Sequence, residues 1–385
     1  MIEMKKKNIT QLCVGPMSKN CVDATIELAY EYDVPLVMIA SRRQIECEDL
    51  GGGYVNNWTT KNFADYVRAH DPNRKVLLAR DHGGPWQHPS EIEKCHDMTE
   101  ALNSAKLSFL RDIEAGFDIL HIDPIVLDAS LSPEEKHAAV LDDIFELYEY
   151  CVEAAKRCGR EVAFEIGTEE QSVSPSTDLK LIEDTVDRIL HFCEGRHFPR
   201  PLFYVVQTGT KVMGLENIGE FPSDKEKIRE HFHKYRLSQI VEFCRQRGIG
   251  VKEHNTDYLS NSALSVHPEM GISAANIAPE FGVAETQQLL TIMEELGMKR
   301  ELSSFIEICV DSKKWYKWIE PEKDVSVLDK TKICGHYLFA EPQVAEIIEQ
   351  VRFVYGRREK NLERALRGAV KRSILRYMKC FKMIK

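Results

Sequence analysis

Asp81 and His82 stand where a short apolar run ends, in the segment KVLLARDHGGP that spans 75–85. The four consecutive apolar residues at 76–79 are typical of a parallel strand that is covered on both faces. The Gly-Gly-Pro sequence at 83–85 cannot continue this strand, so the carboxylate and the imidazole lie at its carboxyl end. Ligands of α/β proteins bind at that end. The two residues are therefore candidates for chemistry, and a turn-forming Asp beside a surface His is the alternative.

Polar side chains follow the other apolar runs in the same way. They are His121, Asp123, Glu165, Glu169, Gln207, His254, Asp257 and Glu280. The set is too acidic to bind an anionic substrate unaided, but imidazoles and carboxylates are the ligands of zinc and related ions in catalytic sites. Each residue also has a structural explanation: His121 in the barrel wall, Asp123 in a turn, or Glu165 in an internal ion pair. Their joint occurrence at strand ends favours an active site.

Eight short apolar segments that alternate with helical segments would position these side chains. The segments are 9–15, 34–40, 76–79, 119–123, 161–167, 201–207, 248–252 and 272–277. This alternation predicts an α/β fold, a (β/α)8 TIM barrel, in which all eight strand ends open into one mouth. A doubly wound sheet is the alternative, but no Gly-x-Gly-x-x-Gly sequence follows the first strand.

The pattern changes beyond about residue 300. We expect the barrel to span 1–300 and a helical C-terminal extension to span 301–385, with a strongly basic tail from Arg357. The tail is interpreted as a solvated helical face or a subunit contact. A contact with a membrane surface or an acidic partner is the alternative.

Composition narrows the class of protein. The formal net charge of −10 argues against general nucleic-acid binding. The sequence has no apolar run long enough for a membrane span, and its start lacks the apolar core of a signal peptide. The 11 cysteines include no Cys-x-x-Cys pair, which suits reduced thiols in a cytosol. We therefore expect a cytoplasmic globular protein.

Several short motifs together resemble a known family. They are Asp81-His82-x-Gly84-Pro85, His121-Ile-Asp123, Ile166-Gly167-Thr168-Glu169, Val205-Val206-Gln207-x-Gly209 and His254-x-Thr256-Asp257-Tyr258. In this order, over roughly residues 10–345, the chain resembles the class II tagatose-bisphosphate aldolase "non-catalytic subunit" family. The resemblance implies a TIM barrel related to zinc-dependent ketose-bisphosphate aldolases. It also points to relatives that are metal-dependent 4-epimerases of sugars or sugar phosphates.

The resemblance also implies roles for individual residues. His82 and His254 would bind a divalent metal, expected to be zinc, and Asp81 or Glu169 would be the acid/base at the C4 hydroxyl of the substrate. The aldolase histidine expected near the sixth strand has no counterpart, because 207–211 reads QTGTK. A third ligand is therefore expected from Gln207, Glu165 or Glu169, with Gln207 the first choice.

The chain departs from the family at two strand ends. Arg42 and Arg43 follow the second strand where the family has an acidic residue, and Glu280 follows the eighth where relatives have a small uncharged segment. The arginines would grip a phosphate or carboxylate, or they are surface charges. The residues expected to bind substrate are Arg42, Arg43, His121, Asp123, Asn255, Asp257 and Glu280.

Metal-dependent retro-aldol chemistry on a ketose or ketose phosphate is the leading hypothesis for function. It would end in C4 epimerisation or in aldol cleavage, and we expect a homo-oligomer. The alternatives are a catalytically silent subunit that stabilises a separate aldolase chain, and a binding protein for sugar acids.

Overall fold

The computed structural model describes residues 8–167, 174–175, 178–320 and 323–385. Its strands, in chain order, are β1 (Gln11–Val14), β2 (Leu36–Ser41), β3 (Val76–Gly83), β4 (Ile119–Ile122), β5 (Ala163–Ile166), β6 (Phe203–Val206), β7 (Val212–Met213), β8 (Glu216–Asn217), β9 (Gly250–Glu253) and β10 (Ile272–Ile277). Strands β7 and β8 form a separate antiparallel hairpin. The other strands close a parallel barrel in the order β1-β10-β9-β6-β5-β4-β3-β2. The predicted (β/α)8 barrel is confirmed.

Helices follow the strands and cover the outside of the barrel. They are α1 (Lys19–Glu31), α2 (Thr60–His70), α3 (Pro89–Glu93), α4 (Met98–Ala115), α5 (Pro133–Cys158), α6 (Leu179–Arg196), α7 (Lys225–Lys234), α8 (Leu237–Gln246), α9 (Asn261–Leu264), α10 (His267–Met270), α11 (Pro279–Leu296), α12 (Lys299–Asp311), α13 (Val327–Cys334), α14 (Pro342–Gly356) and α15 (Leu362–Cys380). Short 3-10 turns cover Glu48–Leu50, Tyr316–Trp318 and Gly335–Leu338.

Local sequence signals explain where these helices begin and end. Helix α5 begins after Ser132, whose hydroxyl accepts the backbone N–H of Glu135 in a capping box. It ends at Gly159, which has a φ of 62° and so closes the helix in the left-handed conformation. Among the described residues, no helix has both the length and the apolar character that a bilayer crossing requires.

The hydrophobic core has two layers. The smaller layer fills the barrel interior and consists of Cys13, Val37, Ile39, Ala79, Ile119, Phe203 and Ala274. The larger layer lies between the strands and the helices, and it extends into the C-terminal helices. Because side chains alternate between the faces of a strand, Asp81 and His121 face the same interior as Ala79 and Ile119, two residues earlier. The interior column of side chains therefore becomes polar towards the carboxyl ends of the strands.

The C-terminal helices are built onto the barrel. Helix α15 packs against α1 and α11. Its Arg367 lies 3.2 Å from Asp23, and its Lys371 lies 2.8 Å from Glu31, both on α1. Part of the basic tail is therefore paired with acidic residues of the barrel's first helix. The division of the chain at residue 300 stays a prediction.

Candidate metal and active site

Asp81 and His82 occupy a distorted end of β3. The pairing of β3 with β4 shifts register between Arg80 and Gly83, which marks a bulge. His82 has a φ of 47°, a left-handed conformation that is uncommon for a residue with a β-carbon. A β-carbon on Gly83 would lie 2.6 Å from the carbonyl oxygen of His121, so a larger residue there would push β3 away from β4. The bulge and the glycine together bring both functional side chains to the barrel mouth.

Three imidazoles and two carboxylates meet at this mouth. The ring centroids of His82, His121 and His254 lie 4.9 to 5.7 Å from one another. The carboxylate of Asp81 is central to them, with Oδ1 3.6 Å from His121 Nδ1 and 3.8 Å from His254 Nε2. Oδ2 of Asp81 lies 3.9 Å from His82 Nε2. These contacts place Asp81 against all three rings.

The carboxylate of Asp123 orients the ring of His82 through its Nδ1 atom. His82 Nδ1 lies 2.6 Å from Asp123 Oδ2, and Asp123 also accepts a hydrogen bond from the side chain of Gln87 at 3.3 Å. This interaction uses Nδ1 and leaves Nε2 of His82 directed towards Asp81. Metal-binding histidines usually show this arrangement, in which the second ring nitrogen is held by a carboxylate.

The donor set fits a divalent metal ion. Nε2 of His121 and Nε2 of His254 are buried and have no hydrogen-bond partner among the described residues. Two overlapping groups, Asp81 with His121 and His254, and His82 with His121 and Asp123, each place their ligand atoms within 4.8 Å of one another. A buried nitrogen without a partner is costly, and a bound cation would satisfy it. His121 belongs to both groups.

Gly167 keeps room for these ligand atoms. A β-carbon at this position would lie 2.7 Å from His121 Nε2 and 2.7 Å from Asp123 Oδ1. Real β-carbons do not approach other atoms so closely, so any larger residue would displace both side chains. The glycine that follows β5 is therefore part of the site, although it contributes no side chain.

The members of the cluster differ in their pKa values and therefore in their protonation. Burial opposes ionisation of Asp81, but the charge of His82 and the contacts with His121 hold the pKa of Asp81 well below its usual range. Burial likewise opposes the charged form of His82, yet Asp81 and Asp123 outweigh it and raise the pKa of His82 to about 9. Burial lowers the pKa of His254 well below its usual value. Asp81 is therefore an ionised carboxylate, and His254 is a neutral imidazole that can act as a ligand.

A buried ion pair lies beneath the cluster. Lys252 Nζ is 2.6 Å from Glu165 Oε2, and both side chains are fully enclosed in the barrel. Burial disfavours the ammonium, but its negative surroundings, including Cys13, Glu165 and Asp81, raise the pKa of Lys252. A lysine that stays protonated is a poor Schiff-base nucleophile, which disfavours lysine-based aldol chemistry at this site. Glu165 forms an ion pair with Lys252, and it belongs to neither of the two metal-ligand groups.

An open cavity of about 650 Å³ lies above the cluster. The sequence-predicted site residues that line it are Arg43, Asp81, His82, Asp123, His254, Asn255 and Asp257. The side-chain amide of Asn276 on β10 also lines it and donates to Asp81 Oδ1 at 3.0 Å. Asn276 was missed by sequence reasoning, although a lone amide inside the apolar segment 272–277 was a usable signal.

Five other predicted residues within the described ranges do not line this cavity, and one of them, His121, lies in the cluster below it. Gln207 is buried at the end of β6 and is not among the residues that line the cavity, and its role as a metal ligand stays a prediction. The carboxylate of Glu280 accepts from Arg376 Nη1 at 3.0 Å and from the backbone N–H of Tyr258 at 2.7 Å, which ties it to α15. Arg42 is fully buried, and Glu165 pairs with Lys252. Glu169 lies outside the described residues.

Asp257 lines the cavity but has a structural task as well. Its Oδ1 accepts the backbone N–H groups of Ala278 at 3.0 Å and Glu280 at 2.8 Å, so it caps the start of α11. Burial and the charge of Glu280 raise the pKa of Asp257 to about 8. Asn255, by contrast, has a buried side-chain nitrogen without a partner among the described residues, and it remains a candidate for substrate contact.

Arg42 and Arg43 face opposite ways. The guanidinium of Arg42 lies 2.7 Å from Glu46 and 2.6 Å from Glu91, and it also donates to the carbonyl oxygen of Gly84 at 3.0 Å. It joins the loop after β2 to the loop after β3 and cannot reach a substrate. Arg43 is exposed and lines the cavity. The predicted pair of substrate-binding arginines is therefore divided into one structural and one available side chain.

Comparisons with known proteins agree with this fold. No protein-family model matches the sequence, and no curated protein matches it. The structure resembles that of a probable tagatose 6 phosphate kinase from Sinorhizobium meliloti 1021, with a TM-score of 0.75, 17% identity, and coverage of 96% of this chain and 100% of that one. It also resembles a glycerol complex of the fructuronate-tagaturonate epimerase UxaE from Cohnella laeviribosi, with a TM-score of 0.59, 12% identity, and coverage of 98% and 82%.

A fructose-bisphosphate aldolase from Campylobacter jejuni has the same fold, with a TM-score of 0.50, 12% identity, and coverage of 98% of this chain and 91% of that one. At these identities the similarity establishes the shared barrel. The structural neighbours thus include an epimerase and an aldolase, the two kinds of sugar enzyme to which the sequence motifs point.

Proposed function

We propose that this chain is a metal-dependent carbohydrate enzyme that breaks and remakes a carbon–carbon bond of a ketose or ketose phosphate. The observation that carries the proposal is the ionised carboxylate of Asp81, set against three imidazoles, two of which have buried nitrogens without partners among the described residues, at the floor of a cavity. This combination offers a base and a cation site within the same few ångströms.

His82, His121 and His254 would hold the metal ion, which we expect to be zinc. We propose His121 as the third ligand, which the sequence led us to expect at Gln207, Glu165 or Glu169, because its ring lies 5.2 Å from that of His254 and 5.7 Å from that of His82. Because Asp123 holds Nδ1 of His82, Nε2 is the nitrogen that would bind, and the ion would displace the proton that the raised pKa of His82 keeps on the free ring. When bound, the ion supplies Lewis-acid stabilisation for negative charge that develops on the substrate's carbonyl oxygen.

Asp81 would act as the base at the C4 hydroxyl. The amide of Asn276 holds its Oδ1 at 3.0 Å, which leaves Oδ2 to accept the proton. As the proton leaves, the C4–O bond becomes a carbonyl, the C3–C4 bond breaks, and its electron pair moves to the C2 carbonyl oxygen through C3. If the aldehyde leaves, the result is cleavage. If it rotates and recombines inside the cavity, the C4 centre is inverted.

Zinc loading and turnover test this proposal. Zinc-loaded protein would be incubated with D-fructose 6-phosphate, D-tagatose 6-phosphate, the corresponding bisphosphates and D-fructuronate, and C4 epimers and triose products would be followed by NMR. We expect Asp81→Asn to retain zinc and lose turnover, and His254→Ala to lose zinc. His191→Ala, on the exposed face of α6, is the matched control and should change neither.

Two outcomes would contradict the proposal. Zinc-loaded protein that converts none of these sugars would remove the enzymatic assignment. Protein that binds no divalent metal, and whose His82→Ala variant leaves the activity of a separate aldolase chain unchanged, would instead favour the silent-subunit alternative.

A further inference from the structure

Three basic side chains, Arg43, Lys136 and Lys317, line the cavity. Two of them, Arg43 and Lys317, lie close enough for the charge of Arg43 to act on Lys317, although they come from different parts of the chain. Arg43 belongs to the loop after β2, and Lys317 belongs to the 3-10 turn Tyr316–Trp318 in the C-terminal region. Both side chains are solvent-exposed within the cavity mouth. Within the described ranges, neither forms an ion pair with a carboxylate. The neighbouring Arg42 and Lys314 do form such pairs, so Arg43 and Lys317 differ from the basic residues beside them in sequence.

Aromatic rings position the ammonium group of Lys317. Its Nζ lies 4.7 Å from the ring centroid of Trp318 and 5.5 Å from that of Tyr337. Aromatic faces attract a cation without neutralising its charge, so the group is held in place and keeps its capacity to bind an anion. Neighbouring protein atoms partly desolvate the ammonium group of Lys317, and this desolvation, together with the charge of Arg43, lowers the pKa of Lys317 to about 8. A bound anion would relieve this repulsion.

The backbone beneath Arg43 is rigid. The buried guanidinium of Arg42 anchors the loop to Glu46 and Glu91, and the carbonyl oxygen of Arg43 accepts the N–H of Tyr54 at 3.2 Å. Gly53 allows the close approach of the two loops, since a β-carbon there would lie 2.0 Å from the carbonyl oxygen of Gln44. Only the side chain of Arg43 is left free, which suits a group that receives a ligand.

The position of Arg43 relates it to the metal cluster. Ser41 is paired with Asp81 in the register of β2 and β3, and Arg43 follows two residues later. Arg43 therefore follows the strand that pairs with the strand of the base, and it lines the same cavity as Asp81. A sugar whose C4 hydroxyl lies against Asp81 would occupy the cavity that Arg43 also lines.

We propose that Arg43 and Lys317 form a subsite for an anionic group, a phosphate or a carboxylate, at the end of the sugar substrate. The inference builds on the proposed function, because the anion is assigned to the substrate of the same cavity. It narrows the substrate class to anionic ketoses. It also gives the C-terminal region a direct part in recognition, since Lys317 lies outside the strands of the barrel.

Calorimetric binding to variants tests the subsite. D-Fructose 6-phosphate, D-fructuronate and neutral D-fructose would be titrated into zinc-loaded wild type, Arg43→Gln and Lys317→Gln. Each charge-assisted contact should account for roughly tenfold or more in affinity. We expect that loss for the phosphate sugar, the sugar acid or both, and no change for fructose. The probe that loses more identifies the anion. Arg300→Gln and Lys299→Gln, exposed residues in the first turn of α12, are matched controls.

Unchanged affinity for both anionic probes in both variants would overturn the subsite. Equal losses for neutral fructose would also overturn it, because they would indicate a damaged cavity. The outcome is separable from the proposed function, because binding and product formation are measured in independent experiments. If Arg43→Gln and Lys317→Gln lose anion binding while wild type converts no sugar, the subsite stands and the retro-aldol assignment fails.

Discussion

At the scale of single residues, the chemistry of this site depends on how each imidazole is oriented. Asp123 accepts from Nδ1 of His82 at 2.6 Å, and His121 Nδ1 lies 3.3 Å from the backbone nitrogen of His82 and 3.6 Å from Asp81 Oδ1. His82 adopts its left-handed conformation in the same place, at a φ of 47°. Strain of this kind persists where surrounding contacts fix it, and it concentrates at functional sites.

Replacement of Asp123 by Asn should weaken metal binding. The neutral amide removes the carboxylate that holds Nδ1 of His82, and loss of such a partner typically costs about 10- to 100-fold in metal affinity. Zinc competition titration of Asp123→Asn would measure the change. Asp184→Asn, in an exposed part of α6, is the control. Equal zinc affinity in wild type and Asp123→Asn would show that Asp123 does not support the ligand.

Gly167→Ala should have an effect at the same site for a steric reason. The added carbon would meet His121 Nε2 and Asp123 Oδ1 at 2.7 Å, so both side chains must shift. We expect reduced zinc affinity, measured by the same titration, while circular dichroism shows a folded barrel. Gly195→Ala, on α6, places its added carbon in open space and should retain wild-type affinity. Normal zinc binding by Gly167→Ala would exclude His121 as a ligand.

At the scale of elements, buried ion pairs hold the loops that carry the site. Arg42 joins the loops after β2 and β3 through Glu46, Glu91 and the carbonyl oxygen of Gly84. Arg80, one residue before Asp81, donates to both oxygens of Asp112 on α4 at 2.6 and 2.7 Å. Breaking a buried pair is costly because it leaves a charge without compensation. These buried ion pairs therefore hold the carboxyl ends of β2 and β3 in place.

Arg42→Met should destabilise the protein far more than the same change at the next residue. It leaves the carboxylates of Glu46 and Glu91 buried without their guanidinium, which should cost about 3–5 kcal/mol in the free energy of unfolding. Arg43→Met, at an exposed side chain, should stay within about 0.5 kcal/mol of wild type. Urea unfolding of both variants makes the comparison, and matching midpoints would contradict the structural assignment of Arg42.

At the scale of the whole molecule, the C-terminal region completes the barrel instead of lying apart from it. Helix α15 packs on α1 and α11, and Arg376 ties it to Glu280 at the start of α11. The backbone N–H of Tyr258 also donates to Glu280, at 2.7 Å, which joins the loop after β9 to the same network. Lys317 and Tyr337 bring the C-terminal region to the cavity mouth. The site is therefore built by both parts of the chain.

The pH dependence of anion binding tests whether Lys317 of the C-terminal region takes part in the site. Lys317 has a pKa of about 8, so it is charged below that pH, and affinity for an anion should be highest there and fall as the pH rises through 8. Other groups near Lys317 keep their charge over this range. Arg43 carries the permanent charge of a guanidinium. Burial lowers the pKa of His336 to about 3 and raises the pKa of Tyr337, so both stay neutral. Asp257, with a pKa of about 8, adds negative charge over the same range and acts in the same direction.

Titration with sulfate, which does not change charge in this range, would measure the effect between about pH 6 and 10. We expect affinity to fall roughly tenfold in wild type and clearly less in Lys317→Gln, in which only Asp257 still titrates. Lys299→Gln should follow wild type. A profile for Lys317→Gln that matches wild type would assign the whole dependence to Asp257.

The sequence alone determined the barrel and indicated where its candidate site lies. Strand segments such as 76–79 and 119–123 carry their own signal, because continuous apolar runs bounded by breakers follow from local chemistry. Asp81, His82, Asp123 and His254 were found in the same way, since a polar residue at the end of a parallel strand faces the barrel mouth. The sequence also showed that Arg43 and its neighbour were unusual residues for this position.

Only the tertiary structure decided which polar residues are free to act. Arg42 and Arg43 are adjacent and chemically identical, yet one is enclosed by Glu46 and Glu91 and the other lines the cavity. His121, first assigned to substrate, belongs to both metal-ligand groups of the described residues. The physical reason is that whether a charge is neutralised depends largely on residues distant in sequence: Glu91 and Ser104 enclose Arg42 together with the nearby Glu46. Local sequence does not encode the distant partners, and the closed barrel brings them together.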